Sequence, residues 1–180
     1  MDGRTLRDGI FGLNTRRFGD VTDILVRRLV GLRQAEGLSH DLFDDTQSKR
    51  VEVKFSRVLK KSRVPVTDQT VLECIEGATS EHRMVNSRDW QRTEFDCNIQ
   101  QIKRDEFDVL YYGLFFADTV LIFRIASHEI GPDIQYSDWQ HRGNVGEGQF
   151  HINRRTMQTH LDRHLHTQLS YDELLALLSP

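Results

Sequence analysis

Cysteine is scarce in this chain, and its two cysteines, Cys74 and Cys97, lack the spacing of a zinc site. We therefore expect no disulfide framework. The N-terminal residues contain no apolar signal core, and no apolar run approaches the length of a membrane span. These absences predict an intracellular, cytoplasmic protein with no membrane partner.

The chain also lacks a strong excess of either charge, since 24 Lys and Arg stand against 27 Asp and Glu, a formal net charge of −3. This balance argues against a globally basic nucleic-acid-binding protein, but it does not exclude local basic patches. Lysine is scarce and arginine abundant. Most of the positive charge is therefore of the planar, forked kind that suits phosphates and guanine edges.

The length of 180 residues, 38% of them hydrophobic, predicts one domain with one core. Residues 1–14 are punctuated by glycine and predict an extended arm or loop. Apolar residues at helical spacing then predict a helix over residues 20–34, with Asp20 as its cap and Asp23 at the N3 position. Two short strands follow, over residues 39–45 and 50–58.

The rest of the chain alternates polar segments with further strands and ends in helices. Residues 59–93 read as an insertion with a helix near 69–76, and residues 127–153 as a long polar segment. Met157, Leu161 and Leu165 predict one helix, and a capping box from Ser170 to Glu173 starts another. The remaining strands are predicted over residues 95–102, 107–116 and 119–125. This order indicates an α+β or mixed α/β fold around one sheet flanked by helices.

The stretch KRVEVKFSR, residues 49–57, alternates apolar and polar side chains as a half-buried strand does. An acid-x-lysine triplet is common on solvated strand faces, so Glu52 and Lys54 alone are a weak signal. If residues 41–45 and 48–54 pair through a turn at 46–47, Asp41 lies opposite Glu52, with Cβ atoms about 5 Å apart. A slip of one residue would bring in Asp44 instead.

Two carboxylates this close repel each other unless a hard divalent cation such as Mg²⁺ lies between them. A neighbouring ammonium can orient or help deprotonate water and can stabilise the charge that develops on phosphorus. Asp41, Glu52 and Lys54 therefore have the residue types that phosphodiester hydrolysis needs.

The segments GDVTDILVRRL and GLSHDLFDDTQSKRVEVKFS resemble the PD-(D/E)xK nuclease superfamily, which has the restriction-endonuclease-like fold. The resemblance implies that Asp41 and Glu52 bind the metal, with the Val53 carbonyl as a possible third ligand, and that Lys54 is the catalytic lysine. Asp23 takes the place of the helix acid, which is more usually glutamate, and His40 stands where proline is usual.

The later segment FDCNIQQIKRDEFDVLYYGLFFADTVLIFRI resembles the core strands of type II restriction endonucleases, so the likeness spans roughly residues 19–125. Gln100, beside a strand edge, is a candidate for holding the site, although a solvated strand residue is the simpler interpretation. The whole chain, 1–180, is then one nuclease domain, with a core over about 15–126 and a DNA-recognition segment and helices over about 127–180.

Two segments are candidates for contacting DNA. SRVLKKSR follows the acid-lysine strand and contains Arg57, Lys60 and Lys61, which suit phosphates. Residues 140–155 combine base-reading side chains with glycines that permit close approach. The candidate readers there are Arg142, Asn144, Gln149, His151, Asn153, Arg154 and Arg155. Solvated polar loops are the alternative interpretation for both segments.

His160 and His164 have the i, i+4 spacing of metal-binding histidines, with His151 and His166 nearby in sequence. HLDRH lacks the glutamate of a metalloprotease motif, and a zinc site needs further ligands. We interpret these histidines as the polar face of a helix.

The leading expectation is a Mg²⁺-dependent type II restriction endonuclease, with Mn²⁺ as a possible substitute, that cuts double-stranded DNA to leave a 5′-phosphate and a 3′-hydroxyl. A palindromic site would favour a homodimer. The alternatives are a structure-specific repair or recombination nuclease, a non-catalytic nucleic-acid-binding module on the same fold, and a zinc-dependent regulator.

Overall fold

A computed structural model describes residues 1–37, 39–62, 64–139 and 146–179. Over these ranges the chain is a mixed α/β protein with a central mixed sheet flanked by helices. The helices are α1 (Gly3–Gly12), α2 (Thr15–Val30), α3 (Val71–Glu76), α4 (Ser80–Arg83), α5 (Met157–His164) and α6 (Tyr171–Leu178). The strands are β1 (Arg33–Gln34), β2 (Leu42–Asp44), β3 (Lys49–Arg57), β4 (Asp96–Ile102), β5 (Val109–Phe115), β6 (Thr119–Ala126), β7 (Gly148–Asn153) and β8 (Leu165–Ser170).

The strands form two sheets of unequal size. The larger has the order β1-β2-β3-β5-β6-β8, in which β3 and β5 are parallel and the other neighbours antiparallel. The smaller is a ribbon of β4 and β7. The prediction of a single sheet is wrong, because β4 pairs with β7 and not with a strand of the main sheet. A parallel β3–β5 pair needs a long crossover connection, and β4 lies in that connection.

Each face of the main sheet covers its own apolar core. Val51 and Val53 of β3 pack with α1, α2 and α6, while the alternate residues of β5, such as Leu110 and Tyr112, pack toward the ribbon and α5. Because both faces are covered, β5 is buried along its whole length. Glu52 and Lys54 alternate with Val51 and Val53, so they project to the ribbon side.

The first residues are helical, and the predicted extended arm is wrong. Asp2 accepts a hydrogen bond from the Thr5 N–H and caps α1, and Ile10 and Phe11 are buried beneath the helix. This burial outweighs the helix cost of the glycines, about 1 kcal/mol each. Gly3 is where α1 contacts α6, since a Cβ there would lie 2.4 Å from the Asp172 carboxylate.

The second helix starts five residues earlier than the predicted Asp20. Asn14 caps α2 by accepting a hydrogen bond from the Arg17 N–H at 3.0 Å. The helix ends at Gly31, whose φ of 76° is the left-handed conformation that favours glycine. Asp23 therefore lies in the middle of α2, not in its first turn.

The last part of the chain holds a strand that was not predicted. Leu165–Ser170 forms β8 at the edge of the main sheet, although Leu165 was expected to continue a helix. The predicted capping box is confirmed, because Ser170 and Glu173 bond each other's backbone N–H at the start of α6. None of the helices in the described ranges combines the length and apolar character that a membrane crossing needs.

Candidate active site

The β2–β3 hairpin has the predicted register. Leu42 pairs with Val51 and Asp44 with Lys49, so Asp41, the residue just before β2, lies across from Glu52. The Asp41 N–H also donates to the Val51 carbonyl at 3.1 Å, so regular pairing ends at Leu42 and Asp41 lies just past it. The apolar alternation of β3 fixes this register, since a one-residue slip would turn Val51 and Val53 out of the core.

Asp44, the alternative first carboxylate, has a different task. Its Oδ1 accepts hydrogen bonds from the backbone N–H groups of Thr46 and Gln47, at 2.9 and 3.0 Å. These bonds stabilise the turn of the hairpin. Asp44 therefore lies at the turn end of the strand pair, away from Glu52.

Asp41, Glu52 and Lys54 meet on one face of the hairpin. The Lys54 ammonium is hydrogen-bonded to Glu52 Oε1, and its Nζ lies 3.8 Å from Asp41 Oδ2. The same Asp41 oxygen accepts a hydrogen bond from the Val53 N–H at 2.9 Å. Asp41 is thus held against the strand that carries the other two groups.

Burial is the main influence on the pKa values of the charged groups at this site. Burial raises the pKa of Glu52 to about 7, opposed by Lys54 and reinforced by Asp41. Burial also raises the pKa of Asp23 to about 7, and the carboxylate of Asp41 adds to the rise. Burial by itself would lower the pKa of Lys54, but Glu52 and Asp41 together outweigh it, so the pKa is raised and the ammonium stays charged.

The backbone of Val53 faces the same side as the Asp41 carboxylate. In a strand, the N–H and C=O of one residue point to the same neighbour. The Val53 N–H points to Asp41, and the Val51 carbonyl two residues earlier accepts from Asp41. The Val53 carbonyl therefore lies on the same edge of β3, past the end of β2.

A cavity of about 290 Å³ opens over these residues. Its lining includes residues that the sequence did not single out: Ser39, Gln101, Lys103, Glu106, Phe107 and Glu147. Glu147 is only 6% exposed, and its Oε1 lies 3.9 Å from the Lys103 Nζ, which also approaches Glu106 at 3.4 Å. The pairing of β4 with β7 brings this second group of charges to the site, and no local motif indicates it.

The glutamine at the cavity is Gln101, and the prediction of Gln100 needs this correction. Gln101 has a φ of 61° at an irregularity of β4 between Gln100 and Ile102. The bulge turns Gln101 toward the cavity. Gln100 lies on the ribbon, opposite Gln149.

No three His, Cys, Asp or Glu side chains within the described ranges are grouped closely enough to hold a metal ion by themselves. Mg²⁺ seldom needs such a cage, since it keeps several waters and binds through one or two carboxylates together with substrate phosphates. Asp41, Glu52 and the Val53 carbonyl are a donor set of this kind.

Comparison of the chain with models of known protein families, with curated proteins and with solved structures finds no match.

Arg57, a predicted DNA contact, is bound inside the fold. Its guanidinium donates to the carbonyls of Ile10 and Leu13, at 3.1 and 2.7 Å, and lies 4.1 Å above the Phe18 ring. It thereby satisfies carbonyls at the end of α1. We withdraw it from the candidate DNA contacts, because these bonds would have to break before it reached a phosphate.

Other predicted DNA contacts are gathered at the far end of the ribbon. Lys61, Asn153, Arg154 and Arg155 line a second cavity of about 190 Å³. Acids share it, since Lys61 lies 3.1 Å from Asp96 and Arg154 lies 3.5 Å from Glu94.

The remaining predicted DNA contacts divide into three groups. Gln149 and His151 are on β7, and the His151 Nδ1 lies 2.9 Å from Asp96. Lys60 is exposed. Arg142 and Asn144 lie outside the described residues.

The histidine helix differs from its prediction. His160 is fully buried, not part of a polar face, and its Nδ1 bonds the Tyr112 hydroxyl at 2.9 Å. Its ring stacks on Phe150, with centroids 5.6 Å apart. Burial, together with His164, lowers the pKa of His160 to about 4, so the ring is neutral at physiological pH.

Proposed function

We propose that this chain is a Mg²⁺-dependent endonuclease of the PD-(D/E)xK type that hydrolyses phosphodiester bonds in double-stranded DNA, with a restriction-endonuclease-like core. The observation that carries the proposal is the meeting of Asp41, Glu52 and Lys54 on one face of the β2–β3 hairpin, under an open cavity. Burial of these charged side chains costs free energy of folding, and a catalytic role would explain why they are retained.

The side chains of the site have different roles in this proposal. Asp41 and Glu52, with the Val53 carbonyl, would hold the cation. When bound, Mg²⁺ supplies polarisation of the scissile phosphate and a more acidic water. The ammonium of Lys54 can then donate to a phosphate oxygen and stabilise the charge that grows in the transition state. Its raised pKa keeps it protonated for this role.

Lys103 supplies a second positive charge at the cavity. Its Nζ contacts Glu106 and the mostly buried Glu147, so it is held in place before substrate arrives. An ammonium preoriented in this way suits a phosphate of the bound strand. We therefore add Lys103 to the candidate substrate-binding residues.

A cleavage assay tests the proposal. Purified protein is incubated with supercoiled plasmid and phage DNA in Mg²⁺, in Mn²⁺ and in chelator, and the products are separated on a gel. Metal-dependent bands of defined size support a restriction enzyme, and a metal-dependent smear supports a nuclease directed by structure or without specificity. Intact DNA in every metal overturns both.

Two lysine variants distinguish this protein's activity from that of a contaminating nuclease. Lys54→Ala is expected to reduce the cleavage rate at least a hundredfold, the range seen when one transition-state donor is removed. Lys49→Ala is the matched control, because Lys49 lies on the same strand, opposite Asp44 and away from the cavity. Equal loss in both variants, or none in Lys54→Ala, would refute the assigned site.

The proposal extends to assembly. One active site of this kind would cut one DNA strand, and a palindromic target has two equivalent strands. A two-fold homodimer, which has two such sites, is therefore the favoured active form. Sedimentation with and without target DNA tests it.

A further inference from the structure

The ribbon of β4 and β7 has one apolar face and one polar face. Its apolar face, with Ile99 and Phe150 at its centre, is buried against the main sheet. Three cross-strand pairs make up the polar face: Asp96 with Asn153, Asn98 with His151, and Gln100 with Gln149. The ribbon is thus a rigidly mounted strand pair that presents mainly amide side chains outward.

These amides are bonded to one another. Asn98 Nδ2 donates to Gln149 Oε1 at 2.8 Å and to Gln100 Oε1 at 3.3 Å, and Gln149 Nε2 donates to the Trp139 carbonyl at 3.3 Å. Asn98 Oδ1 is buried without a hydrogen-bond partner among the described residues. Asn98 therefore orients both glutamines.

Each glutamine keeps bonding capacity for a ligand. An amide nitrogen has two N–H groups and an amide oxygen has two lone pairs. Among the described residues, these bonds leave one N–H of Gln149 and an oxygen lone pair on each glutamine for use. Both side chains can thus offer a donor and an acceptor side by side.

That pair of groups matches the major-groove edge of adenine, which has an acceptor at N7 and a donor at N6. The major groove of B-form DNA is also wide enough to admit a two-stranded β-ribbon. Outward residues two apart on a strand are about 7 Å apart, which is close to two base-pair steps. The polar face therefore spans about four base-pair steps.

The two ends of the ribbon also have side chains that suit duplex DNA. At one end, Gln101 and Lys103 line the cavity above Asp41 and Glu52. At the other, Lys61 and Arg155 line the second cavity, where phosphates of the bound duplex can be neutralised. Asp96 is the one acid on the polar face, and Lys61 and His151 both lie within 3.1 Å of it.

We propose that the β4–β7 ribbon docks in the major groove of duplex DNA, that Gln100 and Gln149 read adenine there, and that Asn98 is their positioning residue. The inference rests on the proposed function only for its partner, double-stranded DNA. It adds which element reads the bases and which base it prefers.

Selection from a random duplex library tests the inference without cleavage. Wild-type protein in Ca²⁺ is mixed with the library, and bound duplexes are recovered and sequenced. The expected result is enrichment of A·T pairs at fixed positions within about four base pairs. Binding without any fixed A·T pair, or no binding of duplexes, overturns the inference.

Variants of the two glutamines test which residue reads which base position. Gln149→Ala is expected to reduce the adenine preference about tenfold at one position, and Gln100→Ala at another, since each loses one bidentate contact. Gln149→Glu should move the preference at its position from adenine to cytosine, whose N4 donates to a carboxylate. Gln158→Ala is the matched control, because its amide bonds Asp162 on α5 instead.

Asn98→Ala tests the positioning role. It should weaken the preference at both positions together, whereas each glutamine variant should change the preference only at its own position. A preference profile unchanged in all three alanine variants of the ribbon, at Gln100, Gln149 and Asn98, contradicts the inference. Selective binding without cutting would refute only the nuclease, whereas cutting without base preference would refute only the ribbon's role.

Discussion

Asp41 accepts a hydrogen bond from the backbone N–H of Val53, with 2.9 Å between Oδ2 and the nitrogen. Val53 lies between Glu52 and Lys54, so this bond fixes one carboxylate against the strand that carries the other charged groups. Asparagine can accept the same bond with its side-chain oxygen. Replacing Asp41 by asparagine therefore removes the charge while keeping the geometry.

Asp41→Asn should weaken stabilisation by Mg²⁺. A cation that binds only the folded state raises the free energy of unfolding with its concentration, so the wild-type thermal midpoint should rise with Mg²⁺. The variant should bind Mg²⁺ at least tenfold more weakly and have a metal-free stability within about 1 kcal/mol of wild type. Thermal unfolding across a Mg²⁺ series measures both, with Asp20→Asn as the control. An equal Mg²⁺ response in Asp41→Asn would remove this residue from the ligand set.

Asp44→Ala should show the opposite pattern. Its carboxylate holds the hairpin turn through Thr46 and Gln47, and losing these bonds should lower the free energy of unfolding by about 1–2 kcal/mol. Its response to Mg²⁺ should match that of wild type. Urea unfolding with and without Mg²⁺ measures both the stability and the Mg²⁺ response of the variant. Loss of the Mg²⁺ response would mean that Asp44, and not Asp41, binds the metal.

The stability advantage of Asp23→Asn should grow with pH. The folded pKa of Asp23 is about 7, mainly through burial, against an ordinary value of 3.8. Between these values the folded state holds the proton that the unfolded state has released, so the wild type loses stability as pH rises from about 4 to about 7. Asparagine has no proton to lose. The difference in free energy of unfolding should widen over that window and stay constant above it.

Denaturant titrations of both proteins at pH 5, 6 and 8, without metal, measure this difference. Asp20→Asn, on the exposed side of α2, is the control. Because Asp20 is the smallest of the named contributions to the raised pKa of Asp23, this variant should differ from the wild type much less than Asp23→Asn does. A difference that narrows as pH rises would contradict the raised pKa of Asp23.

Tyr112→Phe should destabilise the fold through His160. The Tyr112 hydroxyl is hydrogen-bonded to His160 Nδ1 in the core, and the His160 ring has no other hydrogen-bond partner among the described residues. Removing the hydroxyl leaves a buried polar atom unpaired, at a cost of about 1–3 kcal/mol. Urea unfolding measures the loss, and retention of Mg²⁺ stabilisation by the variant separates it from the site. A variant as stable as wild type would mean that the bond contributes nothing.

The local part of the candidate site could be predicted from the sequence. Alternation in KRVEVKFSR fixes which face of β3 is buried, and a short turn leaves few registers for Asp41. Both are properties of neighbouring residues. Asp23 was also assigned to a helix, although the cap that sets where α2 begins, Asn14, was missed.

The rest depends on contacts between distant residues. Glu147 reaches the cavity because β7 pairs with β4 some 50 residues earlier in the chain. Gln101 points into the cavity because of a β-bulge, and no residue type in the sequence predicts this bulge. His160 is buried because Tyr112 and Phe150 pack around it, and helical spacing alone suggested a polar face. Pairing across the ribbon decides the first two, and packing between the ribbon and the main sheet decides the third.

Trp139 should report the docking of the ribbon. Its side chain is 83% exposed, and its carbonyl accepts the hydrogen bond from Gln149 Nε2. The other tryptophan, Trp90, packs against the core. A duplex in contact with the ribbon should therefore quench the Trp139 emission, while Trp139→Phe should remove most of the change and leave the affinity within about tenfold of wild type. Fluorescence titration in Ca²⁺ measures the change, with saturation judged by gel shift. Unchanged emission at saturation would mean that DNA binds elsewhere on the protein.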